Sequence, residues 1–145
     1  MMPTENDTGL VAARVWTLMA DLVLSNVRRR EASEQLGLSF AKLRVLRRIT
    51  SPSIPMGELA ARADVDPPYL TLIVDDLERR GLVVREEHPT DRRAKVVSLT
   101  TEGRDVATIA ESILNRPPSP LLELPSEDLA TMERILLSTR QSAQQ

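Results

Sequence analysis

Apolar positions along most of this chain recur at helical spacing. From residue 8 to residue 30 they include Leu10, Val11, Ala13, Val15, Trp16, Leu18, Met19, Leu22, Val23 and Val27, a band wider than one core-facing stripe. A helix apolar over so much of its circumference needs two surfaces to bury against. Few other helices are available in 145 residues to surround it, so the second surface is expected on another subunit. The alternative is the central helix of a monomer. Gly37 closes this region. Ser39 predicts an N-cap for a helix over 40–49, with Phe40, Leu43, Leu46 and Ile49 on one face and Val45 beside it. Lys42, Arg44, Arg47 and Arg48 lie mostly opposite. Thr50 to Pro55 reads as a loop, on Pro52 and Pro55.

A short helix is expected over 56–63, then a tight turn at Ala63–Asp64–Val65. Asp66 is the next N-cap, and Pro67 suits a first helical position, where its missing N–H would be unpaired anyway. Leu70, Ile73, Val74 and Leu77 give one buried face, and Gly81 caps the end near Arg80. Leu82 to Glu86 and Lys95 to Leu99 read as strands, joined by turn chemistry at His88–Pro89–Thr90–Asp91, which makes a hairpin with a charged tip. Thr100 or Thr101 caps a helix over 102–115, and Pro117, Pro118 and Pro120 break it. Ser126 caps a last helix over 127–140, striped by Leu129, Met132, Ile135 and Leu136, with Glu127 and Asp128 in its first turn.

Helix, helix, turn, helix and hairpin in that order predict a mainly α fold with a small two-stranded β-wing: a winged helix-turn-helix. Its second helix can enter a major groove and its hairpin can reach the flanking minor groove or backbone. The expected division is an N-terminal dimerisation helix at 1–35, the winged domain at 36–100, and C-terminal dimerisation helices at 101–145 with a Pro-rich break at 116–120.

Composition removes competing chemistries. There is no cysteine and one histidine, His88, so thiol chemistry and His-rich metal clusters are excluded. No Gly-rich phosphate loop and no nucleophile–base pair stands out, so neither an enzyme, a metal nor a cofactor is expected. Trp16, Phe40 and Tyr69 are the only aromatics, too few for a single-strand stacking surface. Met1 to Gly9 lacks a basic leader region, and Arg14, Thr17, Asp21 and Ser25 interrupt Leu10 to Val27. Neither a targeting segment nor a membrane span is expected, and a cytoplasmic protein is the default.

The net charge of −2 conceals two basic blocks. Residues 28–48 carry 7 basic and 2 acidic side chains, residues 79–104 carry 7 and 4, and residues 49–78 carry 1 and 6. One face can therefore bind an anionic polymer despite the overall balance.

The residues from 58 to 103 sharpen the picture. Glu58-Leu59-Ala60, Leu77-Glu78-Arg79-Arg80-Gly81-Leu82-Val83, Pro89-Thr90-Asp91-Arg92-Arg93-Ala94 and Val97-Ser98-Leu99-Thr100-Thr101-Glu102-Gly103 resemble the MarR (multiple antibiotic resistance regulator) family. Leu36-Gly37-Leu38-Ser39 and Val45-Leu46 look like that family's second-helix entry. The resemblance covers residues 36–104, and the terminal helices by position only. It implies a homodimer that binds double-stranded DNA at a palindromic operator, represses nearby genes, and releases DNA when a small, aromatic or phenolic ligand binds.

Under that reading Arg92 and Arg93 sit at the wing tip, where an arginine can enter the minor groove, and Asp91 would orient one of them by a charge-assisted hydrogen bond. Lys95, Arg85 and Arg79 are candidate phosphate contacts. On the recognition helix Thr71 is a candidate for a base or phosphate, and Pro68, Tyr69 and Leu72 for thymine methyl groups. Relatives often carry basic residues at the positions of Leu72 and Asp76. Asp75 and Asp76 are either acceptors for cytosine N4 or repulsive. Arg28-Arg29-Arg30 with Arg44, Arg47 and Arg48 are either a phosphate-positioning patch or a solvated face paired with Glu31 and Glu34. Arg14, Trp16 and Met19 are candidates for lining a ligand pocket, against plain dimer packing. The acidic 49–78 segment motivates a competing class, a winged-helix protein-interaction module with weak or no DNA binding.

Overall fold

The computed structural model describes residues 4–24, 27–49 and 52–142. The chain separates into two compact units, Met1–Asn115 and Arg116–Gln145. In the first unit the helix expected over 8–30 is described in two stretches, α1 over Glu5–Leu24 and α2 over Arg28–Leu36. Ser25 and Asn26 between them lie outside the described residues. The two stretches differ in burial. The described side chains of α1 have no buried member, whereas α2 sets Ala32 fully into the core, packed with Leu43 and Leu46 in one cluster. The stretch Asp7–Leu36 is long and apolar enough, by length and composition, to cross a membrane. Arg14 and Asp21 stand within its apolar part.

Three helices then build the core. In α3 (Phe40–Arg48) Leu43, Val45 and Leu46 are buried, and the Ser39 side chain accepts from the Lys42 N–H as the expected cap. In α4 (Met56–Ala63) Leu59, Ala60 and Ala63 face inward, and Asp64 ends the helix in a left-handed conformation at φ 52°. Asp tolerates that conformation better than most side chains. In α5 (Pro67–Arg79) Asp66 caps by accepting from the Tyr69 N–H, and Leu70, Ile73, Val74 and Leu77 are all buried. Arg80 takes the C-cap position and Gly81 follows at φ 75°, so the glycine stands one residue beyond the cap position expected of it.

The hairpin consists of β2 (Val83–Glu87) and β3 (Lys95–Leu99), antiparallel with Arg85 opposite Val97. A third strand joins it. Ile54–Pro55, expected as loop, forms β1, with Ile54 opposite Val97, and the sheet order is β1-β3-β2. Thr50 and Ser51 of that expected loop lie outside the described residues. Ile54 is buried beneath the sheet, which explains why a two-residue segment pairs at all: its side chain completes the core.

Thr100 is the cap of α6 (Thr101–Leu114), accepting from the Gly103 N–H at 3.0 Å. Its hydroxyl also donates to the Gly81 carbonyl at 2.7 Å and its N–H to the Leu82 carbonyl at 3.1 Å. This seats α6 on the α5–β2 connection. A Cβ at Gly103 would lie 1.9 Å from the Leu82 oxygen, a backbone atom that cannot swing aside. The gain in helix propensity from Gly103→Ala, about 1 kcal/mol, should therefore be overtaken by the clash. A net loss of about 2 kcal/mol in urea unfolding is expected, and an unchanged or higher midpoint would show that the connection yields.

In the second unit α7 (Ser119–Leu122) is a single turn after Pro117 and Pro118, and α8 spans Ser126–Ser142. Ser126 is the first helical residue rather than the cap, and the Pro125 carbonyl accepts from the N–H groups of Asp128 and Leu129. Leu121, Leu129, Met132, Leu136 and Leu137 line one apolar groove of this unit, and no residue of α8 is buried.

Candidate nucleic-acid interface

The buried face of α5 fixes which side chains remain outside. Leu70, Ile73, Val74 and Leu77 anchor the helix, so Pro68, Tyr69, Thr71 and Leu72 project outward. Leu72 is 66% exposed and Tyr69 47%. The Thr71 hydroxyl donates to the Pro67 carbonyl at 3.1 Å, which leaves its oxygen as an acceptor while that bond persists.

A groove of about 430 Å³ runs between α5 and the wing. Pro55, Met56 and Gly57 line one part of it, and Thr71, Arg85, Arg93, Ala94 and Lys95 the rest. The fold thus brings four of the expected residues, Thr71, Arg85, Arg93 and Lys95, onto one concave surface. Sequence reasoning missed Met56 and Gly57. They reach this groove because β1 pairs with β3 and α4 follows directly.

Arg92 and Arg93 occupy the exposed turn between β2 and β3, and neither guanidinium has a partner among the described residues. Asp91 does not hold either of them by its side chain. Its carboxylate accepts from the Arg93 backbone N–H at 3.0 Å, an Asx turn that shapes the tip. His88 has a similar duty: its Nδ1 accepts from the Thr90 N–H at 3.2 Å. Lys95 stands 4.0 Å from Glu87, both well exposed, an ion pair of little consequence.

The acids of α5 are engaged by cations of this chain. Asp76 accepts from Lys42 at 2.8 Å and Arg80 at 2.7 Å, with Arg79 at 3.5 Å. The bonds from Lys42 and Arg80 hold its carboxyl below the usual carboxylate range. Asp75 meets Arg85 at 2.5 Å, and Glu78 reaches the same guanidinium at 3.3 Å. Burial works against the charge of Arg85, but its hydrogen bonds to Asp75 and Glu78 outweigh that and raise its pKa above the ordinary value. Arg85, expected as a phosphate contact, is thus engaged within the chain, whereas Arg79 is 73% exposed and makes only a 3.5 Å contact with Asp76. Asp75 and Asp76 have partners within the chain, although Asp75 keeps 43% of its side chain exposed. Lys42 of α3 and Arg85 of β2 answer part of the net acidity of 49–78.

The basic block at 28–48 does not form one patch. Arg28 pairs with Glu31 at 2.9 Å, Arg29 lies 4.5 Å over the Phe40 ring, and the Nε of Arg44 is buried. Arg47 bonds Glu111 of α6 and holds that carboxyl below its ordinary range. These side chains lace α2, α3 and α6 together. Arg30 and Arg48 remain exposed. Arg14, Trp16 and Met19 are exposed on α1, Trp16 by 71%.

Comparison with known proteins agrees with this geometry. Residues 38–95 match the model of the MarR family. The chain is 38% identical over 74 residues to the HTH-type transcriptional repressor MdtR of Bacillus subtilis (strain 168), a match covering 50% of this chain and 48% of that protein. The chain spans about half the length, or less, of the curated relatives it matches. Among solved structures, the reduced form of MarR from E. coli superposes with a TM-score of 0.71 at 24% identity, over 96% of this chain and 97% of that one. A mutant of MepR from S. aureus, bound to an oligodeoxyribonucleotide, superposes with a TM-score of 0.60 at 19% identity, over 91% and 97%. At these identities the two structures speak for the fold.

Proposed function

We propose that the chain is a transcriptional regulator of the MarR type, on the match of residues 38–95 to that family's model: a cytoplasmic homodimer that binds double-stranded DNA at a palindromic operator and represses transcription until a small aromatic or phenolic ligand releases it. The observation that carries the DNA-binding part is the groove between α5 and the wing. Thr71, Arg93 and Lys95 converge there, with Tyr69 and Leu72 exposed on the same helix and Arg92 free at the tip. An outward helix face beside a cationic hairpin suits a major groove and its flanking backbone. The oligonucleotide on the MepR mutant, which shares the fold, is in keeping with this reading.

Dimerisation is supported by apolar area left uncovered. Leu10, Val15, Trp16, Leu18 and Val23 are exposed on α1, and Met132, Ile135, Leu136 and Leu137 on α8. A monomer rarely leaves so much contiguous apolar surface in water. A second copy of the chain would cover each face, which makes α1 and α8 the dimerisation segments of this reading, within the expected 1–35 and 101–145. Arg14, Trp16 and Met19, exposed on α1, would line an effector pocket at such an interface. The protein-interaction alternative rested on an acidic recognition helix, and the internal pairing of Asp75 and Asp76 removes most of its motive.

The direct test is a fluorescence-anisotropy titration against the chain's own upstream DNA and a scrambled duplex, at two salt concentrations. Tighter binding to the upstream DNA, with affinity for both falling steeply as salt rises, is expected. No binding by a folded, ligand-free dimer would transfer the assignment to a protein-interaction module.

A further inference from the structure

Arg85 lies midway along β2, opposite the fully buried Val97 of β3. Past this point only two register pairs remain, Glu86–Val96 and Glu87–Lys95, before the exposed tip. Three hydrogen bonds tie this one residue to α5. The guanidinium donates to Asp75 at 2.5 Å and to Glu78 at 3.3 Å, and the Arg85 backbone N–H donates to the other Glu78 oxygen at 2.9 Å. Only a quarter of the Arg85 side chain is exposed. A pivot held at Arg85 governs where Arg93 and Lys95, farther out on the same hairpin, stand relative to the reading face of α5.

We infer that Asp75, with Glu78 as its second arm, is a positioning residue: it clasps Arg85 and thereby sets the spacing between recognition helix and wing, rather than reading a base or repelling phosphate. Arg85 accordingly acts as the clasped partner and not as a phosphate contact. The inference rests on the DNA-binding reading above for its effect on affinity, but the clasp itself belongs to the free protein.

The three roles for Asp75 diverge on Asp75→Asn, which keeps the shape and removes the charge. Repulsion predicts tighter binding to every duplex. Base reading predicts a loss confined to one base pair of each half-site. The clasp predicts weaker binding, by about tenfold, whatever single base pair is changed. It also predicts several-fold faster amide exchange over Glu86–Val96 in the protein without DNA, at an unchanged global unfolding midpoint. Glu78→Gln should act in the same direction. Combining Asp75→Asn with Arg85→Gln should weaken binding no further than either alone, because both break the same contact. Unchanged exchange in the free variants overturns the clasp. Unchanged, tighter or single-base-pair-selective effects on binding overturn its role in positioning. Should the unmodified protein bind no DNA, the functional assignment fails, and the exchange measurement alone decides the clasp.

Discussion

Replacing Arg92 and Arg93 together by alanine is expected to weaken binding to the upstream duplex by roughly ten- to a hundredfold at moderate salt. The dependence of log affinity on log salt should also flatten, by up to about two in slope, since each neutralised phosphate contributes about 0.9. Both side chains are exposed and neither is engaged within the chain, so the variant should unfold within about 0.5 kcal/mol of the parent. That pairing of results separates an interface role from a folding role. Retained affinity with a retained salt slope would remove the wing tip from the interface. Loss of affinity with an unchanged slope would mean that these arginines contribute through shape and hydrogen bonding rather than through their charge.

The larger effect is expected on α1. Trp16→Glu combined with Leu18→Glu places two charges on a helix with no buried member among its described side chains, Trp16 and Leu18 being exposed by 71% and 68%. In a monomer the change would be nearly silent. In a dimer closed over this face it buries unpaired charge, which is prohibitive. Sedimentation should show the parent as a dimer and the variant as a monomer, with the core of the winged domain still folded. Operator affinity should fall by roughly a hundred- to ten-thousandfold, because two linked half-site contacts become independent ones. A variant that remains dimeric would place the interface elsewhere, and a parent that sediments as a monomer would leave the apolar face of α1 for another partner.

What the sequence made legible was local. Ser39, Asp66 and Thr100 each accept from an N–H three residues ahead, and a capping bond of that reach can be read from spacing alone. The buried stripe of α5 is a periodic signal, and the β-branched run of Lys95–Leu99 a compositional one, each within one element. The missed features join distant parts of the chain. Ile54 becomes a strand only because Val97 is beside it. Charge was the least readable property. Asp75, Asp76 and Arg47 have partners on other elements, Arg85, Lys42 and Glu111, which a count by segment cannot show, so it left open whether these groups repel, bind or pair. Thr71, Arg93 and Lys95 were recognisable as chemistry, but their convergence on one groove needed the three-stranded sheet.

That sheet also has guarded borders. On one side β1 is only two residues long, and one of them, Pro55, has no N–H to offer. On the other, the Arg85 N–H at the middle of β2 is already taken by Glu78. An open sheet margin normally templates the addition of a foreign strand, the first step toward aggregation. Here neither margin presents the run of free donors that such growth requires. Wings crowded side by side, on neighbouring operators or in concentrated solution, should therefore remain separate hairpins instead of zipping into an intermolecular sheet.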